Sequence, residues 1–387
     1  MDYYGLLWFL LPFAAWTGWS AARQSFSSQA ETHAKRLSND YLRGLDYLLN
    51  EQPDKAIDVF IRLIDVDNET VETHLALGAL FRRRGEVNRA IRIHQNLIKI
   101  SRLNPQQKAL ATLELGLDYQ RAGLLDRAED LFQELAQFQP YRVLAHRQLL
   151  DIYQQEQDWE KAIRIAWELS QQSGENLNPI IAQYYCEQAE AFQRRGNIEQ
   201  TYQSLETALK IDALCVRASL TKGYLMLSQT ENASNTIKTF QHVEQQNPLF
   251  ISEIIEPLET CYRRLNNLEE FTLYLQHLLQ HYGGISPLLA LAQRIREQAD
   301  EQQASAFIVE QLQKTPSLKG LAHFIDLTLN TNQENTQHNL LLVKEILMKL
   351  LKNYPLYRCK ECGFSGRTLH WQCPSCKQWN TITPLQN

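Results

Sequence analysis

The sequence predicts an all-α protein. It is read as a superhelical solenoid of stacked helix pairs, with a transmembrane helix ahead of it and a small four-cysteine metal-binding module behind it. Three observations carry this. Small and aromatic residues return together at an interval near 34 residues through the middle of the chain. Tyr3 to Ala22 holds no charged side chain. Four of the seven cysteines close the chain in two CxxC pairs. The boundaries follow: residues 1–22 for the anchor, 23–36 for a juxtamembrane linker, 37–352 for the helical repeats and 353–387 for the metal module.

The anchor is justified by length and flanks. Asp2 and Arg23 bracket the uncharged stretch, and twenty helical residues span roughly 30 Å, the thickness of the hydrocarbon core. Tyr3, Tyr4, Trp16 and Trp19 lie near its ends, where interfacial aromatics sit. Pro12 is tolerated in a membrane helix. A cleaved signal peptide is the alternative. It would want a basic n-region and a small-residue cleavage site, whereas this stretch offers Asp2 and Ala14-Ala15-Trp16. Arg23, Lys35 and Arg36 follow the helix and place the bulk of the chain on the cytoplasmic side of the membrane. Cys186, Cys215 and Cys261 read as small buried residues of a reducing compartment. With 39 basic against 44 acidic side chains, net −5, overall charge gives no case for nucleic acid.

The repeats are justified by alignment. Gly44, Gly78 and Gly116 are each followed three residues later by Tyr47, Phe81 and Tyr119, twelve later by Ala56, Ala90 and Ala128, and sixteen later by Phe60, His94 and Phe132. The pattern continues through Tyr153, Ala162 and Ala166, then Ala189, Phe192, Thr201 and Leu205, then Gly223, Met226 and Asn235. It weakens through Tyr262, Phe271 and Leu275 and through Ala292, Ile295, Ala304 and Ile308. Each unit is two amphipathic helices whose small residues permit close approach. Turns fall at Gly85, Gly123 and Gly196, where a helix end favours Gly. One unit cannot bury its own apolar stripe, but a stack can. Leu318 to Leu351 keeps helical spacing, with a polar loop over Thr331–Thr336. The pattern resembles the tetratricopeptide repeat, a helix-turn-helix with a 34-residue period. It departs from that family in lacking the first-helix Trp and in keeping repeat-end prolines only at places such as Pro140 and Pro248.

No phosphate loop, HExxH or GxSxG is present, so no enzyme is expected. His277 and His281 share a helix face without an intervening HExxH glutamate and read as structural. The arginine clusters Arg82-Arg83-Arg84, Arg194-Arg195 and Arg263-Arg264 complement helix C-termini. In the tetratricopeptide register, Arg82, Arg83, Gln120, Arg121, Gln154, Gln193 and Arg194 fall where first helices face the concave side, and such a lining would suit an acidic or polar peptide.

Cys359-Lys-Glu-Cys362 and Cys373-Pro-Ser-Cys376 are ten residues apart. Two such turns can present four thiolates to one tetrahedral ion. Zinc is the expected metal, and spacing leaves iron open. Two disulfides or redox pairs are disfavoured, since no thioredoxin-like βαβ pattern surrounds them. Gly363 and Lys377 follow the paired cysteines where the backbone must bend. The stretch resembles rubredoxin-type metal knuckles, and Cys373 to Asn380 also resembles the zinc ribbon of a RecA-class DNA-repair ATPase. Arg358, Lys360, Arg367 and Lys377 could touch phosphate, whereas Phe364, Trp371 and Trp379 point to packing on a neighbouring surface. The short linker at Tyr354-Pro355 makes the helices from Phe324 to Leu351 the expected surface.

Anchor, repeats and CxxC tail in this order resemble the lipopolysaccharide assembly protein B family across the whole chain. The resemblance implies a single-pass adaptor of the bacterial cell inner membrane. Its implied partners are the membrane AAA+ zinc metalloprotease, the lipid A pathway deacetylase whose proteolysis it promotes, and a lipopolysaccharide-sensing membrane regulator that restrains it. A rubredoxin-like iron electron carrier and a zinc-ribbon nucleic-acid binder are the alternatives.

Overall fold

The computed structural model of the chain describes residues 71–99, 103–229, 233–329 and 334–385, with isolated helical residues between 42 and 59. The expected anchor and linker lie outside the described residues. Among those described, no helix is long and apolar enough to cross a membrane. The chain divides into two units, Met1–Asp158 and Trp159–Asn387.

The first unit runs through α1 (Val71–Arg83), α2 (Val87–Ile98), α3 (Pro105–Arg121), α4 (Leu125–Ala136), a 3-10 turn at Gln139–Tyr141, and α5 (Arg142–Glu156). Each helix packs on the next. Periodicity explains why they do. In α2 the buried residues are Ala90, Ile93, His94 and Leu97, spaced i, i+3, i+4, i+7, which is one helix face. In α4 they are Ala128, Phe132, Leu135 and Ala136. The start of α3 is fixed by a capping box. The Gln107 N–H donates to the Asn104 side chain at 2.8 Å, the Asn104 N–H donates back to Gln107 Oε1 at 3.1 Å, and Pro105 follows.

In the α1–α2 and α3–α4 pairs, a glycine on the first helix receives a ring from the second. A Cβ on Gly78 would stand 2.3 Å from the His94 ring, and one on Gly116 would stand 2.5 Å from Phe132. Both distances are far below contact, so the pair closes only because the methyl group is missing. The helix ends share one geometry. At Gly85 the N–H bonds Arg82 O and the next N–H bonds Phe81 O, and the same double bond recurs at Gly123 and Gly196. All three glycines have φ between 75° and 83°. The cap also recurs at Gln157 (φ 57°) and Asn266 (φ 50°), which no glycine announces.

The second unit continues with α6 (Trp159–Ser173), α7 (Asn178–Arg194), α8 (Ile198–Ile211), α9 (Val216–Ser228), α10 (Ala233–Gln246), a 3-10 turn at Pro248–Phe250, α11 (Ile251–Arg264), α12 (Leu268–His281), α13 (Ile285–Gln298), α14 (Glu301–Lys314), α15 (Leu318–Leu329) and α16 (Glu334–Asn353). Phe240, Ile254, Leu258, Tyr262, Phe271 and Leu275 lie at the heart of its core. Ala292, Ala304 and Ile308 continue that core toward α15. The chain then forms β1 (Tyr357–Cys359), β2 (Ser365–Gly366) and β3 (Ile382–Pro384). They make an antiparallel sheet in the order β2-β1-β3, with Tyr357 opposite Gly366 and Cys359 opposite Ile382.

Two sequence expectations are corrected here. Asn235 does not occupy the buried small-residue slot of α10. It is exposed, Thr236 is buried in its place, and Phe240 meets Gly223, so the connector between α9 and α10 holds one extra residue. The polar stretch Thr331–Thr336 is not loop throughout, because α16 begins at Glu334. Glu334, Asn335 and Thr336 belong to the first turn of that helix.

Two substitutions test these contacts. Gly116→Ala drives a methyl group into Phe132 and should lower stability by about 1–3 kcal/mol. Gln157→Gly removes a Cβ from left-handed backbone and should raise stability by about 0.5–1 kcal/mol. Chemical denaturation of the two variants beside the parent chain measures both.

Candidate metal centre

The four cysteines converge as their spacing demands. Their Sγ atoms all lie within 4.8 Å of one another. Cys359 and Cys376 are 3.8 Å apart, and Cys362 and Cys373 are 3.6 Å apart. A tetrahedron with Zn–S bonds of about 2.3 Å has edges of about 3.8 Å, so the cage already has the size of a closed four-thiolate site. These four residues would hold the metal.

The cage is built from two copies of one turn. The Cys359 N–H donates to Phe364 O and the Gly363 N–H to Cys359 O; the Cys373 N–H donates to Gln378 O and the Lys377 N–H to Cys373 O. Gly363 (φ 75°) and Lys377 (φ 59°) hold equivalent left-handed positions. The turns direct backbone N–H groups at sulfur. The N–H of Cys362, and then the Thr381 hydroxyl, hold the Cys359 thiol down to about 6. The Phe364 N–H lowers Cys362. The thiolate is the ligating form, so at these two cysteines the backbone favours it before an ion arrives; Cys376 goes the other way, up to about 12, where the Gln378 N–H is outweighed by burial and by hydrogen bonds with the other three thiols.

The module is fastened to the helices by its aromatic residues. Trp371 stacks on Phe250 with centroids 5.6 Å apart and planes 14° apart. Trp379 meets Tyr184 of α7 edge-on at 5.8 Å. The Tyr357 hydroxyl donates to Glu253 Oε1 at 3.0 Å, and burial, then that carboxylate, pushes the Tyr357 phenol well up. Leu369 and Trp371 join the core of α9–α12. The docking surface expected at Phe324 to Leu351 is therefore corrected. The module sits on the Pro248–Phe250 turn, α7 and α11, and touches the end of α16 through a hydrogen bond from Arg367 to the Lys352 carbonyl. The linker is short, but the apolar surface that matches two indole rings lies far upstream, at Phe250 for Trp371 and at Tyr184 for Trp379. Phe364 does not dock; it packs inside the module, edge-on to His370.

The structure sorts the proposed groove residues. In the first unit, Arg82 spans two helices, with Nη2 2.7 Å from Glu114 and Nη1 2.8 Å from Asp118. It is thus an internal tie rather than a free groove cation. Arg83 and Arg121 are exposed, Gln120 is half-buried, and Gln154 is half-buried with Nε2 donating to Leu150 O. In the second unit, Gln193 and Arg194 are exposed. Arg263 pairs with Glu259 and Glu297, and Arg264 donates to Leu227 O at the end of α9. The His277 and His281 rings lie 4.3 Å apart with planes tilted by 32°, and His277 lies 3.7 Å from Glu244. Sequence reasoning missed a recurring latch. Gln95, Gln133 and Gln241, each one residue after a ring that packs on a glycine, donate to the hydroxyls of Tyr119, Tyr153 and Tyr262 on the next pair. The shared Gln-after-ring position was the available signal.

Residues 357–384 match the family described as Rubredoxin metal binding domain. The chain is 37% identical over 382 residues to "Lipopolysaccharide assembly protein B" of Escherichia coli (strain K12), covering 98% of both. It is 36% identical over 392 residues to the protein of the same name from Haemophilus influenzae, covering 99% of this chain and 98% of that one. Among solved structures, that of MamA protein aligns at TM-score 0.33 with 17% identity, over 48% of this chain and 96% of that one, a likeness too weak to carry weight.

If the cage is a closed four-ligand site, replacing any one of Cys359, Cys362, Cys373 or Cys376 by Ser should release the metal and loosen the module, since metal binding supplies much of the folding free energy of so small a unit. Chelation should also shift tryptophan emission to longer wavelength as Trp371 and Trp379 leave their partners. In the Trp371→Ala/Trp379→Ala double variant that shift should disappear while metal content stays stoichiometric.

Proposed function

The chain belongs to the lipopolysaccharide assembly protein B family, and on that premise we propose that it is a membrane-anchored adaptor. In this reading it acts by binding rather than by catalysis. It brings the lipid A pathway deacetylase to a membrane AAA+ zinc metalloprotease, and a lipopolysaccharide-sensing membrane regulator restrains it. The anchor is the uncharged stretch Tyr3–Ala22, which would hold the helices beside a membrane protease and raise the effective concentration of the pair without new contacts.

The observation that supports this reading best is the fastening of the metal module. A module joined by two indole contacts and a buried-side hydrogen bond presents one surface with the helices it covers. A rigid composite surface suits a protein that must hold a client in one orientation. Zinc fits that role, because it is redox-inert and keeps four thiolates without an open position. Iron in the same cage would instead give a coloured, reducible protein, so metal analysis and the visible spectrum of the purified protein decide between them.

The cellular test is the amount and half-life of the deacetylase. In cells carrying Trp371→Ala/Trp379→Ala, with the adaptor at its normal level, the deacetylase should persist and accumulate. A chain beginning at Gln24 should fold yet fail to restore turnover. Unchanged deacetylase turnover in both would overturn the adaptor reading.

A further inference from the structure

We propose that the solvent face of α16, with the cavity beside it, is a docking site for an acidic amphipathic helix supplied by a partner protein. The occupant is defined by the chemistry of this surface and does not depend on the deacetylase or the protease being the protein that brings it.

α16 is the last helix of the stack. It packs on α15 through Leu347, which is 7% exposed, and through Lys344, whose Nζ lies 2.5 Å from Asp326. Its other side faces solvent and is not polar. Leu342, Ile346 and Leu350 are 53%, 51% and 56% exposed. They are spaced i, i+4, i+8 and form one ridge along the helix. In a stacked-repeat protein each layer covers the one before it, and the terminal layer normally turns a polar face outward. Here the chain leaves the helix at Asn353 and turns into the metal module. The last layer therefore carries the surface of an interior one, and a ridge with i±4 spacing is what another helix packs against.

Charge identifies the kind of helix. Beside the ridge is a cavity of about 540 Å³ with Met348 and Leu356 among its apolar lining residues. Lys319, Lys349, Lys352 and Arg367 stand around it against a single acid, Glu345. On the helical wheel Lys349 falls between ridge and cavity, so it serves both. Among the described residues, no ion pair occupies Lys349 or Lys352. An apolar ridge flanked by unpaired cations fits a helix with a leucine-like stripe bordered by Asp and Glu. A second copy of this chain fits poorly, because a twofold contact through this face would set its lysines near their own counterparts. A bilayer surface fits poorly as well, since Leu356 and Arg367 rise from the metal module to make the surface concave.

The probe is a labelled synthetic peptide of about five helical turns, with Leu on one stripe and Glu on both borders. Its control has every Glu replaced by Lys. Binding to the full chain in detergent is read by fluorescence anisotropy. The Glu peptide should bind, its affinity should fall as salt rises, and the Lys peptide should bind at least about tenfold more weakly. Lys349→Glu/Lys352→Glu should weaken the Glu peptide by about tenfold or more, and Ile346→Asp should weaken both peptides. Circular dichroism and metal content should match the parent chain in each variant; both sites are exposed, and the lysine pair tests the surface even if Ile346→Asp disturbs the helix. Equal binding of the two peptides, or indifference to the lysine reversals, overturns the proposal. So does self-association that Ile346→Asp abolishes, which would make a second copy the occupant. Binding to phosphatidylglycerol vesicles that is lost in the lysine variants, with no peptide binding, overturns it in favour of a membrane.

Discussion

The helical part of this protein depends on a missing methyl group. In three pairs the ring of the second helix lies where a Cβ of the first would be: His94 on Gly78, Phe132 on Gly116 and Phe240 on Gly223. That contact sets how closely the two helices approach and how far the second is rotated. Rotation in turn sets what the next residue reaches. Because the ring points inward, the Gln that follows it points toward the neighbouring pair and finds a tyrosine hydroxyl there. Each such bond contributes only about 1 kcal/mol, but it fixes the register of one pair on the next, which dispersive packing alone leaves loose.

Charge is used in the same way where the α1–α2 and α3–α4 pairs meet. His94 Nδ1 lies 2.6 Å from Asp118 Oδ2, and Arg82 reaches the other oxygen of the same carboxylate. Asp118 is fully buried, and a buried carboxylate is tolerated only when its lone pairs are occupied. Losing either partner would leave one oxygen of that buried carboxylate without its hydrogen bond, so Arg82 is better understood through the helix it ties than through a concave lining.

What the sequence disclosed tracks how local the physics is. The metal cage was fully legible, because each pair of ligands lies within a few residues of its own left-handed turn residue, Gly363 or Lys377, and the chemistry fixes the ligand types. Helix ends were legible where the left-handed residue is Gly and hidden where it is Gln157 or Asn266, which pay a steric cost that only the backbone reveals. The repeat register was legible until a one-residue insertion before Ala233 moved the buried position from Asn235 to Thr236. The seat of the metal module was not legible. Trp371 and Trp379 announced that they would pack on something, but Phe250 and Tyr184 carry no mark that distinguishes them from any other core aromatic.

That seat gives the metal a reach beyond its own cage. The ion would hold two turns together; the turns hold β1 and the segment that carries Trp371 and Trp379; those rings hold α7 and the entrance to α11. The same module carries Arg367, whose guanidinium donates to the last turn of α16, where a cation also suits the helix dipole. Arg367 is at once a cap on that helix and part of the cationic border of its open cavity. Order in the module and order at the exposed end of the stack are therefore coupled. Coupling of this kind is reciprocal: whatever binds α16 and fixes Arg367 must also tighten the module, and metal in the cage must pre-order the surface that a partner would meet.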